Sequence, residues 1–341
     1  MGIIPGLPMK IGGSVLPINQ DFSALPDGPL PAAFTGSTWT IASGLAVNTP
    51  SVGAELLTNP TLTGTYVSGL APNLTKALTP TVAESADAHS GGQAQVFTAT
   101  AIANGLFFPL MAAVNGAWYR YSGWVKRTAG TGVGTRIRCD QAALIPNVSR
   151  NAGAVINVAS YTQKQLSFIT GSTANIAVYA VVEHDVSNFD TVVVDDFSLK
   201  RLSYADLFAL LNSPTQANVI VKAMPNTLAD NTLSAVVARA DTNTAPASGL
   251  FALWRWRDPE DFIMVSLWEL AGGTYTQKIA ENALTIVPNA WVEIRATGTT
   301  AQLFYNNTQV GTDQTVTASG VYHGMLMTGG NKIKQFFAQA N

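Results

Sequence analysis

The sequence predicts an all-β chain, and three observations carry that prediction. Only 12% of its 341 residues are charged, with Thr, Ser, Asn, Ala and Gly in their place. An average soluble protein has roughly twice that share of charge. Helical surfaces are usually coated in Glu and Lys, whereas strand surfaces tolerate Thr and Asn. Short apolar or alternating runs recur roughly every 8–15 residues with Gly, Asn or Ser between them, the spacing of antiparallel sandwiches. The run Thr191–Leu202, TVVVDDFSLKRL, shows the pattern in one line: a β-branched triplet, a doublet of aspartates, then alternation of Phe197 and Leu199 with Ser198 and Lys200.

Residues 1–14 are rich in Gly and Pro, and no regular helix is expected there. They read as a loose terminus or as an arm that docks on a larger assembly through Ile4, Pro5, Leu7 and Pro8. Strands are expected at Val15–Phe22 and across Ser37–Asn48, where Ser43-Gly44 marks a hairpin turn. A second series is expected at Gln93–Ala99, Leu106–Leu110, Trp118–Arg127, Thr135–Cys139, Ala154–Val158, Gln163–Ile169, Ala174–Glu183 and Val192–Lys200. A third runs from Leu207–Leu211 through Ala217–Ala223, Leu233–Ala240, Leu250–Arg257 and Phe262–Leu270, then Tyr275–Ile279, Trp291–Ala296, Ala301–Tyr305, Thr308–Gly311, Tyr322–Met327 and Ile333–Ala338. Around Leu207–Leu211 the helical and strand periods are not separable.

Composition also excludes partners and chemistries. Nineteen basic residues against 21 acidic, with no basic run, argue against nucleic acid. A single cysteine, Cys139, forbids an internal disulfide and a cysteine-based zinc site. No apolar run reaches the ~18 residues of a membrane helix, so no membrane insertion is expected. The N-terminus has no charged start followed by an apolar core and does not read as a secretory signal. His89, His184 and His323 lie far apart, and no GxSxG or HExxH occurs. A glycosidase needs two carboxylates about 5–9.5 Å apart. Glu183, Asp185 and Glu269 are scattered, so no catalytic residue and no enzyme activity is expected.

Five stretches carry a family resemblance. Within FSALPDGPLPAAFTGSTWTIASGLAVNTP, the residues Phe22, Asp27, Gly28, Leu30, Trp39, Ile41, Gly44 and Ala46 are similar to the opening strands of laminin-G-like or concanavalin-like modules. GLFALWRWRDPEDFIMVSL, AWVEIRA and AQLFYNNTQVGT resemble the later strands of the same module. Between them, AELLTNPTLTGTY resembles the start of a carbohydrate-binding-module-like jelly roll. This implies two antiparallel β-sandwiches (jelly rolls), one inserted in the other: residues 15–50 plus 203–341 form the first, and 51–202 form the insert. A plain tandem is the alternative. The whole resembles structural proteins of tailed bacteriophages, which implies a head decoration, head fibre or tail appendage. Such a protein would be assembled in the host cytoplasm, sit on the virion surface beside capsid or tail proteins as a homo-oligomer, and bind cell-surface glycans. The alternatives are a secreted bacterial carbohydrate-binding protein or an accessory module of a polysaccharide-degrading enzyme.

Candidate binding residues follow from alternation. Ala117–Arg127 places Trp118, Arg120, Trp124 and Lys126 opposite Tyr119, Tyr121 and Val125. Indoles stack on the C–H faces of sugars, and guanidinium groups donate to hydroxyls. Arg136 and Arg138 extend that face if their strand is a neighbour. Trp254, Trp256 and Trp268 are candidates for a second platform, while Trp39 and Trp291 are expected in the core. For every one of these aromatics a core role is the competing reading. The resemblance also implies a structural calcium at Asp196, helped by backbone near Asn59, since hard cations take oxygen ligands. A solvated strand corner is the other reading of Asp195-Asp196, and no cofactor is required by either.

Overall fold

The computed structural model describes residues 17–131, 134–141, 153–170, 175–183, 189–213, 215–227, 232–257 and 262–341. The arm residues Ile4, Pro5, Leu7 and Pro8, together with His184 and Asp185, lie outside the described residues. The fold is all-β, and the only helical elements described are single 3-10 turns at Phe22–Ala24 and Ala205–Leu207. The second of these explains the mixed periodicity there, since a 3-10 turn runs straight into the strand Phe208–Leu210. Among the described residues no helix is long and apolar enough to cross a membrane.

The chain divides into two compact units. The flanking unit is built from the chain up to Ser51 and from the segments Leu202–Trp256 and Asp261–Asn341. The middle unit is Val52–Arg201.

The flanking unit has two sheets. The larger runs in the order Gly28–Pro29, Trp39–Ala42, Leu45–Asn48, Lys332–Ala340, Val219–Thr227, Val292–Thr297, Thr300–Tyr305 and Thr308–Thr315, with Ile18–Asp21 also paired to Lys332–Ala340. The smaller runs Phe208–Leu210, Tyr322–Met327, Ser234–Ala240, Gly249–Arg257, Phe262–Ala271 and Thr274–Thr285. The predicted hairpin is present: Ser43 and Gly44 have φ of 53° and 74°, the double left-handed geometry of a type I′ turn. Side chains alternating inward from both sheets, among them Trp39, Ile41, Val221, Trp254, Leu267, Leu303 and Phe336, make one continuous core.

The middle unit also has two sheets. The first runs Thr162–Ile169, Trp118–Ala129, Thr191–Leu202, Ala94–Thr98 and Thr81–Ser85, with Val52–Glu55 paired to Thr191–Leu202; we call it the Trp124 sheet. The second runs Gly153–Val155, Thr135–Gln141, Asn175–Glu183, Gly105–Phe107 and Thr75–Ala77, with Met111–Ala112 paired to Asn175–Glu183; this is the Tyr179 sheet. Inward residues of both, including Tyr121, Val125, Phe97, Val194 and Leu199 of the first and Ile137, Val178 and Ala180 of the second, are fully buried. The Tyr121 hydroxyl donates to the Tyr179 carbonyl at 3.1 Å, linking one sheet to the other.

Two of the register breaks in the middle unit set the faces of its strands. Against Trp118–Ala129 the pairing steps from Ser122↔Ser198 to Trp124↔Asp195, so Thr191–Leu202 carries one extra residue. Asp196, with φ of 45°, is left-handed at that point. Strand parity reverses there. Val194 and Phe197 therefore both face the core, although they are three residues apart. The second bulge lies in Asn175–Glu183, where Arg136↔Val182 gives way to Arg138↔Tyr179.

Candidate functional site

Alternation correctly separates the two faces of Trp118–Ala129, but the outer face is not an open sugar platform. Trp118 is 1% exposed, so the expectation of a stacking ring there is corrected: it is a packing residue. Trp124 is half-buried, and the imidazole of His89 lies flat on it, with centroids 3.7 Å apart and planes 10° from parallel. His89 thus takes the indole face that a pyranose would use.

The aspartate doublet builds this cover. Asp195 is fully buried; its Oδ2 accepts the backbone N–H groups of His89 at 3.0 Å and Ser90 at 3.1 Å, and its Oδ1 accepts that of Asp196 at 2.8 Å. Burial raises its pKa above the usual carboxylate value, against those three donors, which lower it. Asp196 reaches the same loop with its side chain: Oδ2 lies 2.6 Å from His89 Nδ1, and Oδ1 accepts the Ser90 hydroxyl at 2.8 Å. The bulge is what lets two consecutive carboxylates point the same way. Left-handed Gly91 and Gly92 turn the loop back toward the sheet. At the loop's other end Asp87 pairs with Lys126, whose ammonium also sits 4.7 Å from the Tyr161 ring centroid, and the Tyr161 hydroxyl donates to the Asp87 carbonyl at 2.6 Å.

The site proposed at sequence level for calcium is therefore a loop anchor in this structure. Both oxygens of Asp196 have protein partners, and the Pro60 carbonyl near Asn59 accepts Phe197 N–H at 2.8 Å. Among the described residues no group of three or more His, Cys, Asp or Glu is placed to hold a metal ion.

Arg136 and Arg138 do not extend the Trp124 face, because Thr135–Gln141 belongs to the opposite sheet of the sandwich. Ile137 and Cys139 point inward from that strand and are buried. The two arginines point outward and are half-buried. Here the structure assembles what sequence reasoning did not. Phe107, Tyr179 and Arg138 are cross-strand partners on three adjacent strands. The Phe107 and Tyr179 ring centroids are 5.8 Å apart, and the Arg138 guanidinium lies 5.7 Å from the Tyr179 centroid. Gly105 makes room for this row, since a Cβ there would stand 3.3 Å from the Tyr179 ring and 3.1 Å from the Val181 carbonyl. The signal that marks it is a large aromatic, Tyr179, at an outward position between the buried Val178 and Ala180. Arg120, on the Trp124 sheet, is half-buried, and burial lowers its pKa.

In the flanking unit the expected Trp254–Trp268 platform is also corrected. Both are 1% exposed, Trp254 inside the sandwich core and Trp268 on the opposite face of its sheet, where its indole donates to Ser266 Oγ at 2.9 Å. Trp256 is half-buried. Trp39 is core, as expected, whereas Trp291 is half-buried beneath the Lys222 ammonium, 4.8 Å from its ring centroid. Among the carboxylates weighed for catalysis, Glu183 is fully buried, and Glu269 is 4% exposed and engaged by Lys278 at 2.9 Å and by Ala318 N–H at 2.7 Å.

No family model matches the chain, and no curated protein matches it. Solved structures similar to part of the chain include carbohydrate binding module CBM66 from Bacillus subtilis, at 15% identity and a TM-score of 0.29, covering 39% of this chain and 80% of that one. Xylan beta-1,4-xylosidase from Bacillus halodurans C-125 matches at 12% identity and 0.28, over 38% of this chain and 29% of the xylosidase. LamAcat from Zobellia galactanivorans matches at 8% identity and 0.28, over 43% and 70% of the two chains.

Proposed function

We propose that this chain is a non-catalytic carbohydrate-binding protein, and that its middle unit takes a glycan on the outer face of the Tyr179 sheet. The observation that carries this reading is the row Phe107–Tyr179–Arg138 across three paired strands. Aromatic faces attract the C–H groups of a pyranose, and a guanidinium supplies several fixed donors to hydroxyls. Arg136, two residues along the same strand, adds a second fork of donors. Non-catalysis is supported by the engagement of Glu269 and the burial of Glu183. The virion location expected from the resemblance, which covers nearly the whole chain, forms no part of this reading, and the arm expected to dock it lies outside the described residues.

A glycan array probed with the native chain and with Tyr179→Ala tests it. The native chain is expected to mark at least one glycan class, and Tyr179→Ala to bind it roughly tenfold more weakly, the loss of ~1.5 kcal/mol of ring contact. Unchanged binding by a folded Tyr179→Ala chain would remove this face as the site.

A further inference from the structure

We infer that the outer face of the larger sheet in the flanking unit is a second, separate binding surface, and that it takes a neutral polysaccharide. Register aligns Asn19, Phe337, Lys222, Glu293, Phe304 and Gln309 in one row across six strands. Their sequence neighbours Val221, Ala223, Val292, Ile294, Leu303 and Phe336 fill the core, so the row faces outward. A sheet face that meets only solvent is ordinarily short and polar. This one carries Phe337 and Phe304 in the row and Trp291 beside it. The Lys222 ammonium stands between two of these rings, 4.8 Å from the Trp291 centroid and 4.9 Å from that of Phe337. Lys222 keeps 24% of its side chain exposed and Arg295 35%, while Trp291 and Phe337 are half-buried.

The polar groups around the rings are held in place. Gln302 and Gln309 both donate to Asp313 Oδ1 at 2.8 Å, and Gln335 donates to Asp21 Oδ2 at 2.9 Å. Arg295 donates to Glu293 and lies over the Phe304 ring at 3.8 Å. Glu293 in turn is 4.0 Å from Lys222. Side chains already fixed lose little entropy when a ligand arrives. Phe304 lies buried beneath Arg295, so the half-buried Trp291 and Phe337 are the rings left for C–H stacking, and with the pre-set donors and acceptors around them they match the alternating apolar and hydroxyl surfaces of a sugar chain. Charge selects the neutral kind: Lys222 and Arg295 are matched by Glu293 and Asp313, leaving neither sign to attract a polyanion or a polycation.

The test is affinity electrophoresis of the full chain through gels holding a soluble β-1,3-glucan, a xylan or a galactomannan, with native, Tyr179→Ala, Phe337→Ala and Trp291→Ala chains and the Tyr179→Ala/Phe337→Ala double variant. Circular dichroism checks that each variant is folded; Trp291 precedes its strand, so Trp291→Ala spares the ladder if Phe337→Ala does not fold. The expected result is that one polysaccharide retards the Tyr179→Ala chain, and that Phe337→Ala or Trp291→Ala weakens this second component at least fivefold. Retardation lost with Tyr179→Ala alone and untouched by both other variants overturns the inference while leaving the middle-unit reading in place. Retardation lost with Phe337→Ala but kept with Tyr179→Ala does the reverse. A native chain retarded by none of the three overturns both. A Phe337→Ala chain that changes its elution volume on gel filtration without changing its retardation makes the face an interface between copies, and also overturns the inference.

Discussion

The imidazole of His89 is stacked on the indole of Trp124 and tied through Nδ1 to Asp196 Oδ2 at 2.6 Å. Asp196 therefore holds the ring that covers the outer indole of the middle unit, while Asp195 holds the backbone of the same loop. Asp196→Ala removes the His89 and Ser90 contacts together. It is expected to cost about 1–3 kcal/mol of stability and to shift Trp124 fluorescence to the red as the ring meets water. Urea unfolding and emission spectra check both. Because His89 already covers the ring, Trp124→Ala is expected to lower stability and leave glycan binding unchanged.

Gly123 stands opposite the bulge, and a Cβ there would run into the Phe197 ring well inside contact distance. Phe197 packs on Tyr121 at 5.9 Å and on Phe108 at 5.4 Å and is buried. Gly123→Ala is expected to destabilise the middle unit by about 1–3 kcal/mol through overpacking. A urea midpoint within error of the native one would show that the ring can move aside.

His323 gives the flanking unit an acid limit. It is fully buried; its Nδ1 accepts the Arg239 N–H at 3.0 Å, and its Nε2 faces the Gln216 carbonyl at 3.0 Å, which requires the neutral ring. Burial first, and the Arg239 guanidinium after it, push its pKa down to about 4, against the pull of the Gln216 carbonyl. The unfolded chain binds this proton below about 6.5. The stability is thus fully present above pH 6.5 and is lost as pH falls toward 4. The expected loss over that window is about 3 kcal/mol from this residue. Comparing the pH dependence of unfolding for native and His323→Asn chains checks it, the variant being expected to have the flatter slope.

Arg239 is 1% exposed and takes φ of 54° at a break in strand register. Its guanidinium donates to the carbonyls of Ala217 at 2.6 Å, Gly298 at 2.7 Å and Ala318 at 3.2 Å, clasping three connecting segments. Arg239→Ala is expected to cost about 3 kcal/mol. Arg239→Lys is expected to recover less than half of that, because an ammonium cannot reproduce the planar fork. Thermal melts of the two variants decide the point.

The sheets were legible where alternation meets turn chemistry, as in Trp39–Ala42 and Leu45–Asn48 around Ser43-Gly44. Thr75–Ala77 and Thr81–Ser85 gave no signal because they are edge strands with mostly exposed side chains. The sites were harder to read. Alternation tells which residues share a face, not which face is covered, so Trp118, Trp254 and Trp268 looked equivalent to half-buried rings. The Asp195-Asp196 doublet carried a real signal, two polar residues where parity allows one, and that is the mark of a bulge. Tyr179 gained meaning only beside Phe107 and Arg138, partners set by long-range pairing.

Ser203 N–H donates to the Ser51 carbonyl at 2.9 Å, so the chain leaves and re-enters the flanking unit at neighbouring points. Ile18 pairs with Ala338, and Ala46 with Ile333. The strands at Ile18 and Ala46 are therefore made well before Lys332–Ala340 and wait for it before their sheet can close. All the strands of the middle unit are available much earlier. Its folding would draw Ser51 and Ser203 together and replace a long, entropically costly closure with a short one. A destabilising change in the middle unit is then a defect in the synthesis of the whole chain, since it leaves the strand at Ile18 unpaired, and the outer edge of the hairpin at Ala46 exposed, for longer.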